Sequence, residues 1–252
     1  MNQNILKKIR EKREFSQLSE KDIEMAYAKF QQRQASEEEK IKLAKELLRK
    51  IFSVFISKKL LSPKDKEPEW ILRKHISTKE RLPYYQEIYK RIFKNYKKAS
   101  VIDLGAGING FSYNFLPKNT SYTSIESVGQ LDELMNFYFK KNKLTGQAVH
   151  LSLFEKEKVI EIIKKQKEPR IIFLFKVIDA LEAIKKDYSK ELISELAPYA
   201  DRFAVSFPTK SLGNRQSFKA KRNWIVEFIE EKFEILDDFE LGGERYLIFR
   251  IK

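Results

Sequence analysis

The glycine-rich stretch at residues 101–110, VIDLGAGING, has the clearest chemical potential in this sequence. It begins with a short apolar run, which is typical of a strand buried on both faces. The turn that follows contains three glycines, Gly105, Gly107 and Gly110. Glycine adopts positive φ easily and lets a ligand approach the backbone closely. A strand, a glycine turn and a helix starting near Asn109 would together form an arrangement that binds nucleotide-like cofactors.

Two acidic residues narrow the choice of ligand. Asp103 precedes the first glycine by two residues, and Glu126 follows it by 21, at the end of a second apolar segment. That second spacing suits a carboxylate that binds a ribose diol. Asp103 would repel a pyrophosphate, whereas S-adenosylmethionine carries an ammonium, a sulfonium and no phosphate. The residues therefore favour S-adenosylmethionine over NAD. The alternative is a strand–turn–helix without a ligand, in which Asp103 only caps the turn.

The elements that must position these residues alternate between strand and helix from Ala99 onward. This pattern predicts a doubly wound α/β fold with a mostly parallel sheet. An antiparallel hairpin over 233–241 and 244–251 is the usual finish of the Rossmann-like, seven-stranded class I S-adenosylmethionine-dependent methyltransferases. The other strands are predicted near residues 100–104, 121–126, 148–153, 170–176 and 203–208.

Residues 1–98 are predicted to be helical. Helices are expected over 19–33, 36–58 and 69–75, the first two beginning at Ser-x-x-acid capping boxes. A third capping box, Ser77 with Glu80, precedes a helix whose first residue would be Pro83. The predicted organisation is a helical subdomain over 1–98 and a cofactor-binding methyltransferase domain over 99–252.

The positive charge is concentrated in the first part of the chain. The protein of 252 residues has a net charge of +14, and residues 1–98 contribute 26 Lys and Arg against 14 Asp and Glu. Residues 99–252 hold 24 against 22. A genomic preference for lysine should affect both parts equally, so it does not explain the asymmetry. A basic helical part beside a nearly neutral domain indicates a polyanionic partner, above all nucleic acid.

The composition excludes several classes of chemistry. There is no cysteine, which excludes disulfides, thiolate metal sites and methylation of pyrimidine C5 through a cysteine adduct. Only two histidines are present, so no metal site is expected. The amino-terminal residues are too charged for a signal peptide, and no apolar run is long enough to span a bilayer. We expect a cytoplasmic monomer that does not contact membranes.

Three segments resemble the Arm/Rmt family of aminoglycoside-resistance methyltransferases, which modify guanine-1405 of 16S rRNA at N7. Residues 75–82, HISTKERL, are similar to that family's H-x-S-T-x-E-R-L signature. The glycine turn with Glu126 is the second segment. The third is AVSFPTKSLG at 204–213, and residues 172–176, IFLFK, also resemble the fourth strand of the family. The resemblance implies S-adenosylmethionine-dependent methylation of 16S rRNA in the assembled 30S subunit, with aminoglycoside resistance as the outcome.

The resemblance also implies roles for individual residues. Arg81 would bind the cofactor's carboxylate, Glu126 its ribose, and Phe175 with Lys176 would face the methyl-transfer centre as positioning residues. His75 either packs in the core or lines the site. The complete set expected at the cofactor is His75, Arg81, Asp103, Gly105, Gly107, Glu126, Ser152, Leu153, Phe175 and Lys176. The set expected to bind rRNA is Lys7, Lys8, Lys58, Lys59, Lys74, Lys210, Arg215, Lys219, Lys221 and Arg222.

The sequence departs from the family pattern at several positions. Gly110 and Asp179 stand where proline is expected, and Glu126 replaces an aspartate. Ser152 stands where the family usually has an acid that faces the adenine.

The chemistry implied is mostly alignment. Guanine N7 has an exposed lone pair and needs no deprotonation before it attacks a methyl group, which fits a sequence without an obvious general base. The residues after strand four, Lys176 to Asp179, also lack the Asn/Asp-Pro-Pro-aromatic motif of enzymes that methylate exocyclic amines. The target base would be extruded and stacked on an aromatic side chain.

Other readings stay open at this point. The protein could methylate a different rRNA or tRNA nucleotide with the same cofactor, or it could be a non-catalytic rRNA-binding or ribosome-assembly homologue. A small-molecule methyltransferase would not need the basic helical part. An NAD oxidoreductase is disfavoured by Asp103.

Overall fold

The structure is a computed structural model that describes residues 1–53, 66–209 and 222–252. A seven-stranded sheet forms its centre, with the strand order β3-β2-β1-β4-β5-β7-β6. The first five strands are parallel, and β7 runs antiparallel between β5 and β6. The strands are β1 Ser100–Leu104, β2 Ser121–Glu126, β3 Gly146–His150, β4 Arg170–Phe175, β5 Arg202–Pro208, β6 Phe233–Leu241 and β7 Glu244–Ile251. This order confirms the predicted class I methyltransferase fold.

Helices cover both faces of the sheet. In the described part of the chain, six α-helices come before the first strand, and five lie between later strands. The α-helices before the sheet are α1 Gln3–Arg10, α2 Glu20–Gln31, α3 Glu37–Leu48, α4 Pro68–Leu72, α5 Ile76–Arg81 and α6 Tyr85–Ile92. Those within the sheet region are α7 Gly129–Lys141, α8 Lys156–Lys164, α9 Ile178–Ile184, α10 Tyr188–Leu196 and α11 Asn223–Lys232. Single 3₁₀ turns are formed by Arg13–Phe15, Leu82–Tyr84 and Ala197–Tyr199, a longer 3₁₀ helix by Asn109–Phe115, and a π-helical turn by Arg49–Ser53.

Alternating side chains of the central strands divide the core between the two faces of the sheet. Val101 packs with the amino-terminal helices, for example against the cluster that contains Ile9 and Ile88. Its neighbour Ile102 packs on the opposite face, with residues of α8, α10 and α11. Each fully buried side chain of this kind stabilises the fold by about 1.5–3 kcal/mol. Because helices before residue 98 share a core with the sheet, the two predicted parts are in direct contact, and the division between residues 98 and 99 stays a prediction.

The third strand differs from its predicted position. It was expected over 148–153, but Gly146–His150 is the segment that pairs with β2, and the chain leaves the sheet after His150. Leu151 and Leu153 are buried because they pack in the core cluster that contains Ile102 and Ile125, not because they extend the strand. The predicted strand therefore begins two residues too late and ends three residues too late. The alternating apolar residues beyond His150 suggested a strand that does not continue there.

Several predicted helix boundaries also need correction. The cap at Ser36 is confirmed, since its Oγ accepts a hydrogen bond from the backbone N of Glu39 at 3.2 Å. The capping box at Ser77 is wrong: α5 already begins at Ile76, and the Oγ1 of Thr78 donates to the carbonyl oxygen of Leu72 at 2.6 Å. The predicted helix over 36–58 is α-helical only to Leu48, and its last residues lie outside the described part of the chain.

Other boundaries are closer to the prediction. Ser19 precedes α2 as predicted, but its side chain makes no capping hydrogen bond. Pro83 lies in the 3₁₀ turn before α6, and the helix expected after the glycine turn is the 3₁₀ helix that starts at Asn109.

Candidate functional site

A cavity of about 900 Å³, open to solvent, lies at the carboxyl ends of the central parallel strands. Its lining includes residues that end β1, β2 and β4, together with residues of α2, α5 and α9. The strand order reverses between β1 and β4, and this is the position at which open α/β sheets bind their ligands.

The glycine turn forms the floor of this cavity. Gly105 and Gly107 have φ values of 67° and 56°, which residues with a Cβ rarely adopt. Gly110, by contrast, does not have positive φ, so the expectation for this glycine is wrong. A Cβ at Gly110 would lie 2.8 Å from the Cζ of Phe139 and 3.0 Å from the Sδ of Met135, so a lack of space accounts for this glycine.

Glu126 links the glycine turn to the end of β2. Its Oε2 accepts a hydrogen bond from the backbone N of Gly107 at 2.8 Å, and its Oε1 accepts one from Val128 N at 3.0 Å. Burial raises the pKa of Glu126 to about 7, against the lowering effect of these two donors. These two hydrogen bonds use two of the carboxylate's lone pairs. The remaining lone pairs can accept hydrogen bonds from hydroxyl groups of a ligand.

Asp103 lies deeper, at the end of β1. Its Oδ2 accepts hydrogen bonds from Asn109 Nδ2 at 2.6 Å and from the hydroxyl of Tyr122. Its Oδ1 is buried and has no hydrogen-bond partner among the described residues. Burial raises the pKa of Asp103 to about 6, and the two donors oppose the shift. A buried carboxylate oxygen without a donor favours a cationic or hydrogen-bonding group in the cavity.

Arg81 is buried, with 3% of its surface exposed, and lines the same cavity. Its Nη1 donates to the Oδ1 of Asn109 at 3.0 Å, and its Nη2 donates to the Oε1 of Glu244 at 3.1 Å. Burial opposes the charge of Arg81, but Glu244 raises its pKa well above the usual value. The guanidinium therefore stays charged, and a ligand carboxylate would share it with Glu244.

Lys176 and Phe175 follow at the end of β4. The Nζ of Lys176 contacts Glu80 at 2.8 Å and Glu244 at 3.1 Å, and its backbone has a φ of 58°. Strained backbone of this kind is found often at functional sites. The ring of Phe175 lies 4.7 Å from the guanidinium carbon of Arg81, in a cation–π contact.

His75 lies above the glycine turn. A Cβ on Gly107 would be 3.1 Å from its Nε2. Burial lowers the pKa of His75 to about 3, and the nearby charges of Arg81 and Lys176 lower it further. The imidazole is therefore neutral, and it both packs in the interior and lines the cavity.

Apolar residues also line the cavity, among them Leu153, Phe154, Leu181 and Ile184. Ser152 is not among the lining residues. It is fully buried, and its Oγ accepts a hydrogen bond from the backbone N of Phe154 at 3.1 Å. Of the predicted cofactor set, the structure thus brings every residue except Ser152 to the cavity wall.

The comparison with protein families identifies this architecture. The family model described as ribosomal RNA methyltransferase (FmrO) matches residues 67–239. That range contains α5, the glycine turn, the five parallel strands and most of β6. The chain belongs to the FmrO family of ribosomal RNA methyltransferases.

Two curated relatives of this FmrO-family protein have one name in common. A 16S rRNA (guanine(1405)-N(7))-methyltransferase of Frankia casuarinae is 29% identical over 187 residues, which are 66% of this chain and 61% of that relative. The Proteus mirabilis protein of the same name is 26% identical over 191 residues, 71% of this chain and 63% of that relative. The matches therefore span less than two thirds of the relatives' length.

Solved structures show the same fold over the whole chain. The 16S rRNA methyltransferase RmtF, solved with S-adenosyl-L-homocysteine, has a TM-score of 0.83 at 20% identity and covers 100% of both chains. The 16S rRNA methylase RmtB has a TM-score of 0.80 at 19% identity and covers 100% of this chain and 99% of its own. At these identities the likeness establishes the fold.

Three residues of the FmrO-family site were not predicted from the sequence. Asn109 and Glu244 hold Arg81, and Asp22 of α2 reaches the cavity from the amino-terminal part. Asn109 lies within the glycine-rich stretch, so its position was a usable signal. Glu244 and Asp22 are brought to the site only by long-range packing.

The residues expected to bind rRNA are only partly described. Lys7 is exposed, Lys8 lies 3.8 Å from Glu37 and Glu38, and Lys74 lies 4.6 Å from the ring of Trp70. Arg222 is buried, with its guanidinium bound to both carboxylate oxygens of Asp179 at 2.8 and 2.6 Å. Their roles toward RNA stay predictions. Lys58, Lys59, Lys210, Arg215, Lys219 and Lys221 lie outside the described residues.

The described residues form neither a metal-binding cluster nor a membrane-spanning helix. In residues 1–53, 66–209 and 222–252, no group of three or more His, Cys, Asp or Glu side chains is arranged to hold a metal ion. No helix in the described part of the chain is long and apolar enough to cross a membrane.

Proposed function

We propose that this protein methylates N7 of guanine-1405 in 16S rRNA, using S-adenosylmethionine, and that this modification gives aminoglycoside resistance. The observation that carries the proposal is the cavity at the glycine turn, where Asp103, Glu126 and Arg81 converge in a member of a ribosomal RNA methyltransferase family. The substrate would be the assembled 30S subunit, in the cytoplasm, and the protein would act as a monomer.

The charges of the cavity fit this cofactor. The buried Oδ1 of Asp103, which has no donor among the described residues, suits the ammonium of the methionine part. Arg81 suits its carboxylate, because a guanidinium offers several donors in one plane. Glu126 suits the two ribose hydroxyls, as the spacing in the sequence predicts. A pyrophosphate in the same place would meet the carboxylates of Asp103 and Glu126.

The chain's own residues would serve mainly to align the reactants. When bound, S-adenosylmethionine supplies a methyl group on a positively charged sulfur. Phe175 and Lys176 at the end of β4 would border the position where the target base meets that group. Two carboxylates, Glu80 and Glu244, hold the ammonium of Lys176. Guanine N7 already has a free lone pair, so no side chain needs to remove a proton before transfer.

The basic amino-terminal part would dock the enzyme on the ribosome. Residues 1–98 carry 26 basic against 14 acidic side chains, and such a surface binds phosphates with little regard to sequence. Folded rRNA would then be recognised through its shape. The position of the docked enzyme, and not the cofactor site, would select the nucleotide.

The test is methylation of isolated 30S subunits with labelled S-adenosylmethionine, followed by mapping of the labelled nucleotide by primer extension after cleavage at N7-methylguanine. We expect one labelled position, guanine-1405. The control is an Arg81→Ala variant, which should transfer much less label. Label at a different nucleotide would replace the proposed target. Binding of the cofactor without transfer to any RNA would instead indicate a non-catalytic rRNA-binding homologue.

A further inference from the structure

The wall of the cavity contains two chemically different kinds of residue. Arg81 and Lys176 contribute charged groups, and Leu153, Phe154 and Leu181 contribute apolar side chains. Glu126 is also in the wall, at the end of β2. If Glu126 binds the ribose and Arg81 the methionine carboxylate, the flat adenine ring would lie against these apolar side chains. Apolar side chains suit the faces of such a ring, but its polar edge still needs hydrogen-bond partners.

One carboxylate in the lining interacts with Ser152, directly before Leu153 and Phe154 in the chain, and it comes from the amino-terminal helix α2. Asp22 lines the cavity and has 4% of its surface exposed. Its Oδ2 accepts a hydrogen bond from the Oγ of Ser127 at 2.6 Å, and Ser127 directly follows Glu126 in the chain. The hydroxyl of Ser152 also interacts with this carboxylate. A carboxylate has about four acceptor sites, so two hydroxyl donors leave room for a third donor from a ligand.

We infer that Asp22 accepts a hydrogen bond from the 6-amino group of the cofactor's adenine, so that the amino-terminal helix completes the cofactor site. The inference rests on the proposed use of an adenosyl cofactor. The amine is the only hydrogen-bond donor on the base edge of adenine, and a buried carboxylate is a strong acceptor for it. Ser152, the residue expected from the sequence at this place, does not line the cavity and instead interacts with the carboxylate of Asp22.

The backbone holds Asp22 in this position. Ser19 N donates to the carbonyl oxygen of Ser127 at 2.9 Å, and Gly129 N donates to the carbonyl oxygen of Gln17 at 2.9 Å. Leu18 and Val128 form an antiparallel bridge between these two bonds. The segment that leads into α2 is therefore attached to the loop after β2, which carries Ser127. A ligand bound at Asp22 would strengthen the contact between the basic helical part and the sheet.

The experiment compares two ligands by calorimetry. One is S-adenosylhomocysteine, and the other is its 6-deamino analogue, in which hydrogen replaces the amine. The wild-type protein should bind the first about tenfold to a hundredfold more tightly, the range for a hydrogen bond to a charged acceptor. In Asp22→Ala this preference should shrink to within about threefold, because the two changes remove the same contact. Asp22→Asn should give an intermediate preference, since its amide oxygen still accepts.

The matched control is Glu20→Ala, which removes an exposed carboxylate two residues away on the same helix. It should keep the full preference for the amine. If Asp22→Ala weakens both ligands by the same factor, or weakens neither, Asp22 does not contact the amine and the inference is overturned. If the wild-type protein binds neither ligand, the proposed cofactor is wrong. The ratio of the two affinities is insensitive to a partly unfolded variant, because misfolding lowers both equally.

Discussion

Glu244 on β7 accepts a hydrogen bond from Nη2 of Arg81 on α5 at 3.1 Å, although the two residues are 163 positions apart. Both side chains are 2% exposed. The same carboxylate lies 3.1 Å from Lys176 Nζ and accepts a hydrogen bond from the hydroxyl of Ser206. Burial would raise the pKa of Glu244, but the two cations lower it below its usual value. One carboxylate of the carboxyl-terminal hairpin thus orients both cations of the cavity.

Replacing Glu244 by Gln should destabilise the protein strongly. The change leaves the buried guanidinium of Arg81 without its anion, and removing one partner of a buried charge pair costs about 3–5 kcal/mol. The free energy of unfolding in urea would measure the effect. The matched control is Glu234→Gln on β6, where the exposed pair with Arg250 at 2.8 Å should contribute very little. Similar losses in both variants would contradict the role given to Glu244.

Replacing Arg81 by Ala should lower the affinity for S-adenosylhomocysteine by about tenfold or more, since hydrogen bonds between charged groups are worth about 1.5–3 kcal/mol. Arg81→Lys should recover only part of this loss, because lysine keeps the charge but not the planar fork. Calorimetry measures both, with the exposed Arg73→Ala as the control. Unchanged binding in Arg81→Ala would refute the role of Arg81.

Local patterns in the sequence were sufficient for most of the sheet. The alternation in residues 233–241 and 244–251, with two glycines between them, predicted the final hairpin at its observed bounds. The apolar run before Gly105 predicted β1 in the same way. The end of β3 was predicted three residues too late because Leu151 and Leu153 are buried in the core cluster with Ile102, although they lie beyond the strand.

The site could be predicted only where its residues are close in sequence or resemble a known signature. The residues of the glycine turn and Glu126 were found by spacing, and Arg81 by resemblance alone. Glu244 and Asp22 carry no local signal, because an acidic residue in an amphipathic helix or an edge hairpin is usually solvated. Their burial follows from the contact of distant elements, which a single sequence does not reveal.

Cofactor binding should weaken below pH 7. Burial raises the pKa of Glu126 to about 7, so this carboxyl is largely protonated at pH 6 and ionised at pH 8. The ribose hydroxyls donate to the ionised form, and binding at pH 6 must therefore release a proton. We expect the affinity for S-adenosylhomocysteine to fall by up to about tenfold per pH unit below 7. Calorimetry in buffers of different ionisation enthalpy would detect the proton.

Glu126→Gln is the control for this pH dependence. The amide does not titrate, so the affinity of this variant should be lower at pH 8 and should change little between pH 8 and pH 6.5. Asp103 and Asp22, with pKa values of about 6, would still weaken binding at more acidic pH. If the affinity of Glu126→Gln falls between pH 8 and pH 6.5 as steeply as that of the wild-type protein, a different group is responsible.

Asp132→Asn should stabilise the protein. Both carboxylate oxygens of Asp132 are buried and have no hydrogen-bond partner within the described residues. Burial raises the pKa of Asp132 to about 9, and Glu126 and Glu133 contribute to the shift. Between the unfolded pKa near 4 and the folded value, folding binds a proton, so the wild-type protein loses stability as the pH rises.

The gain in the free energy of unfolding from Asp132→Asn should therefore be larger at pH 8 than at pH 5, by at most about 1.4 kcal/mol per pH unit. Thermal unfolding at the two pH values measures it. Glu133→Gln, which changes the exposed neighbour on the same helix, should show a much smaller difference. An equal gain at both pH values would mean that the carboxyl is not protonated in the folded protein.

The binding of 30S subunits should depend steeply on salt, and Lys7 should contribute more than Lys8. Lys7 is exposed and has no ion partner among the described residues, whereas Lys8 lies 3.8 Å from both Glu37 and Glu38. A lysine that binds a phosphate releases a counterion, so Lys7→Ala should reduce the slope of log affinity against log salt by about one. Lys8→Ala should change it less, because its charge is already balanced. Lys232→Ala on α11 serves as the control for a basic residue outside the helical part. If Lys7→Ala and Lys232→Ala have the same effect on the slope, the basic helical part is not the surface that meets the RNA.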